Sequence, residues 1–237
     1  MPRETKISSR DRTGALAAAC YVLFFVASLV LPGFLGQTRG ASVVTPYSTD
    51  AEVARYLATA GHGTVPVAAF CQAMSALALL VFAGFAADYA HRIGRGAHAA
   101  LARTAGTVAA AFLLLSASVQ WILSLPATGN DLPVYRAVMD LIFITGAAGQ
   151  VATTGILVGA VAAAARAATS LPPWLNWLGL AVATLSALSM LSLLWKAATP
   201  LLPVGRYLGM IWFLGLTAVL SRRSTPTGGI EAPEAWK

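Results

Sequence analysis

Between Asp140 and Arg166 the chain reads LIFITGAAGQVATTGILVGAVAAAA (residues 141–165), twenty-five positions without a charged side chain. At 1.5 Å per residue such a run makes about 37 Å of helix, and crossing a bilayer core takes roughly 20 residues. Read as a helix, this stretch spans a membrane.

The same signature recurs in both directions. An apolar stretch runs from about Gly14 to Leu35, and charge-free intervals extend from Arg55 to Asp88, Arg103 to Asp131, Arg166 to Lys196 and Arg206 to Arg222. The last is short: Tyr207 to Leu220 needs the preceding turn from Val204, with Arg206 snorkelling to the interface. The expectation is an all-α integral membrane bundle of six transmembrane helices over residues 14–221. Residues 1–13 form a basic N-terminal segment, and residues 222–237, rich in Pro, Gly, Thr and Glu, are expected to be disordered. Composition agrees. Of 237 residues 57% are hydrophobic and 11% charged, against about 25% charged in soluble domains. A solvent-covered globular domain, a disordered chain and a coiled coil are excluded.

Lys and Arg set the orientation. With the N-terminus inside, the inner segments hold Arg3, Lys6, Arg10, Arg12, Arg92, Arg95, Arg103, Arg166, Arg222, Arg223 and Lys237; the outer ones hold Arg39, Arg55, Arg136, Lys196 and Arg206. Both termini are therefore expected to be cytoplasmic, in a plasma membrane. The formal net charge of +7 follows from these loops and does not call for a nucleic-acid partner. The first apolar run exceeds the 7–15 residues or so of a signal core and reads as an uncleaved anchor. Cys20 and Cys71 lie in apolar runs and behave as small hydrophobes.

The first outer loop, from about Gly36 to Gly63, carries a helix-start signal. Thr49 followed by Glu52 is a capping box, Val53, Tyr56 and Leu57 share one face, and Gly61-His62-Gly63 ends the run. A short amphipathic helix is expected there, either as a lid over the bundle or as a surface element. Small-xxx-small pairs at Gly155/Gly159 and Gly205/Gly209 suit close helix packing, within the chain or, through Gly155/Gly159, in a homo-oligomer. Two polar stripes stand out: Ser186, Ser189 and Ser192 ending at Lys196, and Arg136, Asp140, Ala147, Gln150 and Thr154. Gln72 and Gln120 are isolated. Interhelical hydrogen bonds or a shared cavity would account for them.

Metal and nucleotide chemistry find no motif. His62, His91 and His98 fall in loops, no two acidic residues are adjacent, and HExxH, paired CxxC, Walker and Rossmann signatures are absent. No metal or cofactor is expected. The chemistry-bearing residues gather instead at the outer helix ends. Asp140 would be a general acid with a pKa raised by desolvation. Gln120, Trp121, Tyr135, Arg136, Trp195, Lys196 and Trp212 would bind substrate, the aromatic rings stabilising a cation. The competing reading is an Asp140–Arg136 or Asp140–Lys196 ion pair at the headgroups, with the aromatics as an interfacial belt. Asp131 before Leu132-Pro133 reads as an N-cap, Asp88 with Arg92 as a solvated pair, and Asp50 and Glu52 as first-turn acids.

The basic N-terminus, the loop Ser48-Thr49-Asp50-Ala51-Glu52-Val53-Ala54-Arg55-Tyr56-Leu57 and the alanine-rich span after it resemble the uncharacterised multi-pass membrane proteins of high-GC actinobacteria, a likeness that implies no activity. In length, and in Asp140 within an aromatic surround, the chain is also similar to the small all-helical membrane terpene cyclases, which implies metal-independent acid catalysis on an isoprenoid. The function expected is therefore a membrane enzyme, cyclase or isomerase in type, acting on a lipid-soluble substrate. A small-molecule transporter and a non-catalytic accessory subunit are the alternatives.

Overall fold

The computed structural model describes residues 9–34, 45–59, 65–125, 128 and 131–223. The expected break at Gly61-His62-Gly63 lies outside the described residues, as does the expected disorder of residues 222–237 from Ser224 on, whereas Arg222 and Arg223 are helical and complete the last helix. Helices run α1 (Ser9–Phe34), α2 (Asp50–Thr59), α3 (Val65–Arg92), α4 (Gly96–Ile122), α5 (Leu132–Ile142), α6 (Gln150–Ala167), α7 (Pro173–Leu188) and α8 (Leu201–Arg223). A π-helical segment, Phe143–Gly149, joins α5 to α6, and 3₁₀ turns at Ser189–Leu193 and Lys196–Ala198 lead from α7 to α8.

Six of these units are long and apolar enough to cross a membrane, the arrangement of a multi-pass membrane protein. They pack as a closed ring in chain order: α1 on α3, α3 on α4, α4 on α6, α6 on α7, α7 on α8, and α8 back on α1. Short connections favour such antiparallel neighbours from α3 onward, while α1 lies on α3 although a long loop joins them. The ring closes over Tyr21, Leu79, Phe82, Leu157 and Phe213, all fully buried. Phe213 of α8 holds the seam with α1 and α3, its ring centroid 4.5 Å from Phe82 and 5.5 Å edge-on from Tyr21.

Local signals set most helix starts. Asp131 caps α5, its carboxylate accepting from the Val134 amide at 3.2 Å, with Pro133 in the first turn where no N–H is needed. The span then continues unbroken for 36 residues through the π-segment to Ala167. Asp88 at the end of α3 takes Arg103 of α4, at 2.7 Å, as its salt-bridge partner, so the pair ties two helices where the i, i+4 spacing had suggested Arg92.

Helix α2 closes its own N-terminus in both directions. The Thr49 amide donates to the Glu52 carboxylate at 2.7 Å and the Glu52 amide to Thr49 Oγ1 at 3.3 Å. It packs on α5, with Val53 buried against Tyr135 and Leu123. Arg136 of α5 pairs with Asp50 and donates to the Ser48 carbonyl at 2.7 Å. Hydrogen bonds from Thr49 hold the Glu52 carboxyl below the usual glutamate range, and desolvation pushes the Tyr56 phenol up. A depressed acid stabilises the fold above its unfolded pKa and loses that contribution as pH falls through the folded value. Amide protection factors in the first turn of α2 are expected to fall once pH drops below the ordinary glutamate pKa of about 4.3. A flat profile down to the acid limit would show the box to be unformed.

Candidate functional site

Helix α8 starts at Leu201, a turn earlier than Val204, because Pro203 falls within the first turn and needs no amide partner there. The longer helix carries Arg206 inside the bundle. Its Nη2 donates to the Gly146 carbonyl in the π-segment and, at 2.9 Å, to Gln150 Oε1. The guanidinium carbon lies 4.8 Å from the centroid of the Phe25 ring of α1. The residue as a whole is partly exposed, and for Nη2 acceptors on a neighbouring unit take the place of water. It stands sixteen residues from Arg222, as Gln150 does from Arg166. Both therefore lie about 24 Å from the end of the bundle opposite α2.

Gln150 is the hub. Fully buried, it gives Nε2 to Thr154 Oγ1 at 2.9 Å and to the Tyr21 hydroxyl at 3.5 Å while Oε1 accepts from Arg206. The Tyr21 carbonyl accepts from Ser75 of α3 at 2.9 Å. Gln72 and Ser116, 3.3 Å apart, lie against Gly146. A Cβ on that glycine would run into the Ser116 hydroxyl, so the absent side chain lets α4 approach the π-segment that supplies the carbonyl. π-Turns recur at functional sites because they displace a carbonyl from the regular ladder.

The serine stripe completes the seam. Ser186, Ser189 and Ser192 are all buried. The 3₁₀ turn keeps i, i+3 positions eclipsed, so the stripe stays aligned past the end of α7. Ser189 donates to the Ser186 carbonyl at 2.7 Å, and the Tyr47 hydroxyl reaches the Ser192 carbonyl. Ser186 also sits between α6 and α8. A Cβ on Gly155 would overlap its Cβ, and one on Gly205 would stand 2.9 Å from its Oγ. The two stripes thus meet, with Arg206 above their junction.

What the seam lacks is a counter-charge. Asp50 pairs with Arg136, Asp88 with Arg103, and Asp131 and Glu52 cap helices; no ion pair to Arg206 occurs among the described residues. Its Nε is buried without a partner, as are Ser192 Oγ and Thr199 Oγ1. No cluster of three His, Cys, Asp or Glu side chains that could hold a metal occurs among them either.

The residues expected from sequence to form one pocket separate into several places. Asp140 is partly buried on α5 and, among the described residues, pairs with neither Arg136 nor Lys196. Tyr135 is buried under α2. Trp121 is half exposed on an open cleft of about 420 Å³ between α3 and α4, beside Phe70 and Ala73. Gln120 buries an unpartnered Oε1, while Trp195 and Lys196 are exposed. Trp212 belongs elsewhere: fully buried, it donates its indole N–H to the Leu175 carbonyl at 3.0 Å, in the first turn of α7 and away from α2. The earlier start of α8 places it eleven residues into the helix, about 16 Å down. Trp121, Trp195 and Trp212 therefore do not form an enclosure around Asp140. The Gly155/Gly159 face is likewise taken, by Ser186 and Ala183 of the chain's own α7. A homo-oligomer through it would have to displace that helix.

The sequence places Arg206 at the outer end of the sixth span near Asp140 and Lys196, but a charge beside a short apolar interval reads as a span boundary and not as a binding residue. The signal that finds it is depth: its distance from Arg222 equals that of Gln150 from Arg166. No family model, curated protein or solved structure matches this chain.

Proposed function

We propose that this multi-pass membrane protein binds the anionic head of a lipid-soluble acid at Arg206, from the end of the bundle that carries α2. The observation that carries the reading is a guanidinium fixed by neutral acceptors, with Nε unpartnered and no carboxylate in ion-pair contact among the described residues. A bare cation inside an apolar bundle is unfavourable by several kcal/mol, and intramembrane charges are functional by default. Carboxylate and phosphate oxygens match the planar donor array of a guanidinium, and the Ser192 and Thr199 hydroxyls on the adjoining turns are further donors. On the far side of Thr154 the seam turns to Leu157, Val158, Val161, Ala162 and Ala165, all buried. That apolar wall favours binding from one face over passage through the bundle.

The test is equilibrium binding of palmitate, hexadecyl phosphate and hexadecanol, equal in chain length, to the purified chain. At least one of the two anions is expected to bind tenfold or more tighter than the alcohol. Arg206→Gln should weaken it by about 100-fold, since truncating one side of a desolvated charge pair costs 2–5 kcal/mol. Equal affinity for all three probes would overturn the reading.

A second reading keeps acid catalysis on an isoprenoid at Asp140. It is favoured by the engagement of Arg136 with Asp50, which removes the expected neutralising partner from a partly buried carboxyl. Asp140→Asn would then abolish turnover and leave anion binding at Arg206 unchanged; full turnover in that variant would eliminate it.

A further inference from the structure

At the opposite end of the bundle, the turn between α6 and α7 forms a second polar site. Arg166, Thr169, Leu171, Pro173, Asn176 and Trp177 line a cleft of about 310 Å³. Arg166 lays its guanidinium over the Trp177 ring, 4.4 Å from the centroid. Arg95, from the α3–α4 turn, donates to the Ala167 carbonyl at 3.0 Å and brings a second guanidinium to the same helix end.

The wall of this cleft holds an unmet acceptor. Asn176 is 5% exposed, and its Nδ2 donates to the Leu171 carbonyl at 3.3 Å. That bond fixes the amide orientation, since flipping it would set two oxygens face to face. Its Oδ1 is left buried without a partner. A buried acceptor left unmade costs about 1–3 kcal/mol, which a ligand donor would recover.

The turn is also rigid and strained. The Ser170 amide bonds the Ala165 carbonyl at 2.9 Å and the Thr169 amide the Arg166 carbonyl at 3.1 Å, a Schellman closure. Its left-handed position, where glycine is usual, is Thr169 at φ +48°. A β-branched residue there is an outlier of the kind that gathers at ligand clamps. Tyr89 of α3 pins the turn through Ser170 at 2.9 Å.

We infer that this cleft binds the head group of an anionic phospholipid, the phosphodiester on Arg166 and a head-group hydroxyl donating to Asn176 Oδ1. The Arg166 guanidinium on the cleft, with Arg95 at the same helix end and no carboxylate among the lining residues, selects an anion and disfavours the ammonium of a zwitterionic head. Trp174 and Trp177 are exposed on the first turn of α7, as aromatic side chains are at membrane–water interfaces, so acyl chains can run along the outside of the bundle. The site is independent of Arg206.

Native mass spectrometry of the full chain in detergent tests it with three dioleoyl lipids: phosphatidylglycerol, phosphatidylmethanol (same charge, no hydroxyl) and phosphatidylcholine. One phosphatidylglycerol should be retained about tenfold over phosphatidylcholine and several-fold over phosphatidylmethanol. Arg166→Gln should erase the first preference, and Asn176→Ala the second. Arg222→Gln, on the neighbouring helix end, should change neither. Equal retention of the two anionic lipids by the parent chain would overturn the assignment without reliance on any variant. An equal loss in Arg222→Gln would reduce it to general charge. Displacement of the lipid by millimolar glycerol 3-phosphate would make a soluble phosphate the occupant and overturn the lipid assignment.

Discussion

Gln150→Leu is expected to destabilise the bundle by about 3 kcal/mol, and Arg206→Met added to it is expected to restore most of that loss. Gln150 is the side-chain acceptor for Arg206 and also bonds Thr154 and Tyr21. Leucine fills similar volume but strips the guanidinium of a charge-assisted bond worth about 1.5–3 kcal/mol and leaves it in apolar surroundings. Methionine at 206 then removes the charge itself. Replacing a complete buried polar set by apolar side chains of similar size is commonly neutral or stabilising, whereas removing one partner is not. Q150L/R206M should therefore unfold within about 1 kcal/mol of the parent, and with Arg206→Met alone costing about 1 kcal/mol the coupling in the cycle is about 3 kcal/mol. Reversible unfolding in mixed micelles measures all four corners. Simple additivity of two losses would mean that Arg206 is held for packing, and the anion-binding reading would lose its basis.

Gly155→Val should be similarly damaging, at about 3 kcal/mol, by overpacking. A Cβ at 155 overlaps Ser186 Cβ and stands 2.9 Å from its Oγ, and that serine is backed by Gly205 of α8. It has nowhere to retreat, so α6 and α7 must part. Lipid offers no hydrophobic drive to bring them together again, and close packing is what holds them. Gly84→Val is the control: nothing lies within 4 Å of a Cβ there, and a change within about 0.5 kcal/mol is expected. Equal stability of the two variants would show that α6 and α7 do not meet at Gly155.

The six spans were legible because crossing a bilayer is a condition on length and charge, and both are local. So were the Asp131 cap and the Thr49–Glu52 box, each complete within four residues. The start of α8 was misplaced by the same rule that found the others. An arginine was assumed to seek water, but its acceptors lie 56 and 60 positions earlier in the chain. The serine and Gln150–Thr154 stripes could be seen as stripes; that they face each other depends on helix rotation fixed by Gly155 and Gly205. The π-segment has no sequence signature among these readings, yet it supplies the carbonyl that holds Arg206. Trp212 shows the reverse error: an aromatic near a presumed membrane boundary proved to be a core residue, because the boundary moved by a turn.

The ring in which each span lies beside its sequence neighbours also orders assembly during synthesis. Chains emerge N-terminus first, so α1, α3, α4, α6 and α7 can be laid side by side before α8 exists. Helix α8 packs on both the first span and the two spans before it, and it brings the Arg206 charge to the seam. An arginine in the second turn of an isolated apolar helix makes its insertion less favourable than that of an uncharged helix. By the time Arg206 leaves the ribosome, Gln150, Gly146 and Phe25 are already in place to receive it. Closure of the ring and burial of the arginine are thus one event, and a nascent chain stopped before α8 would present an open polar groove to the insertion machinery.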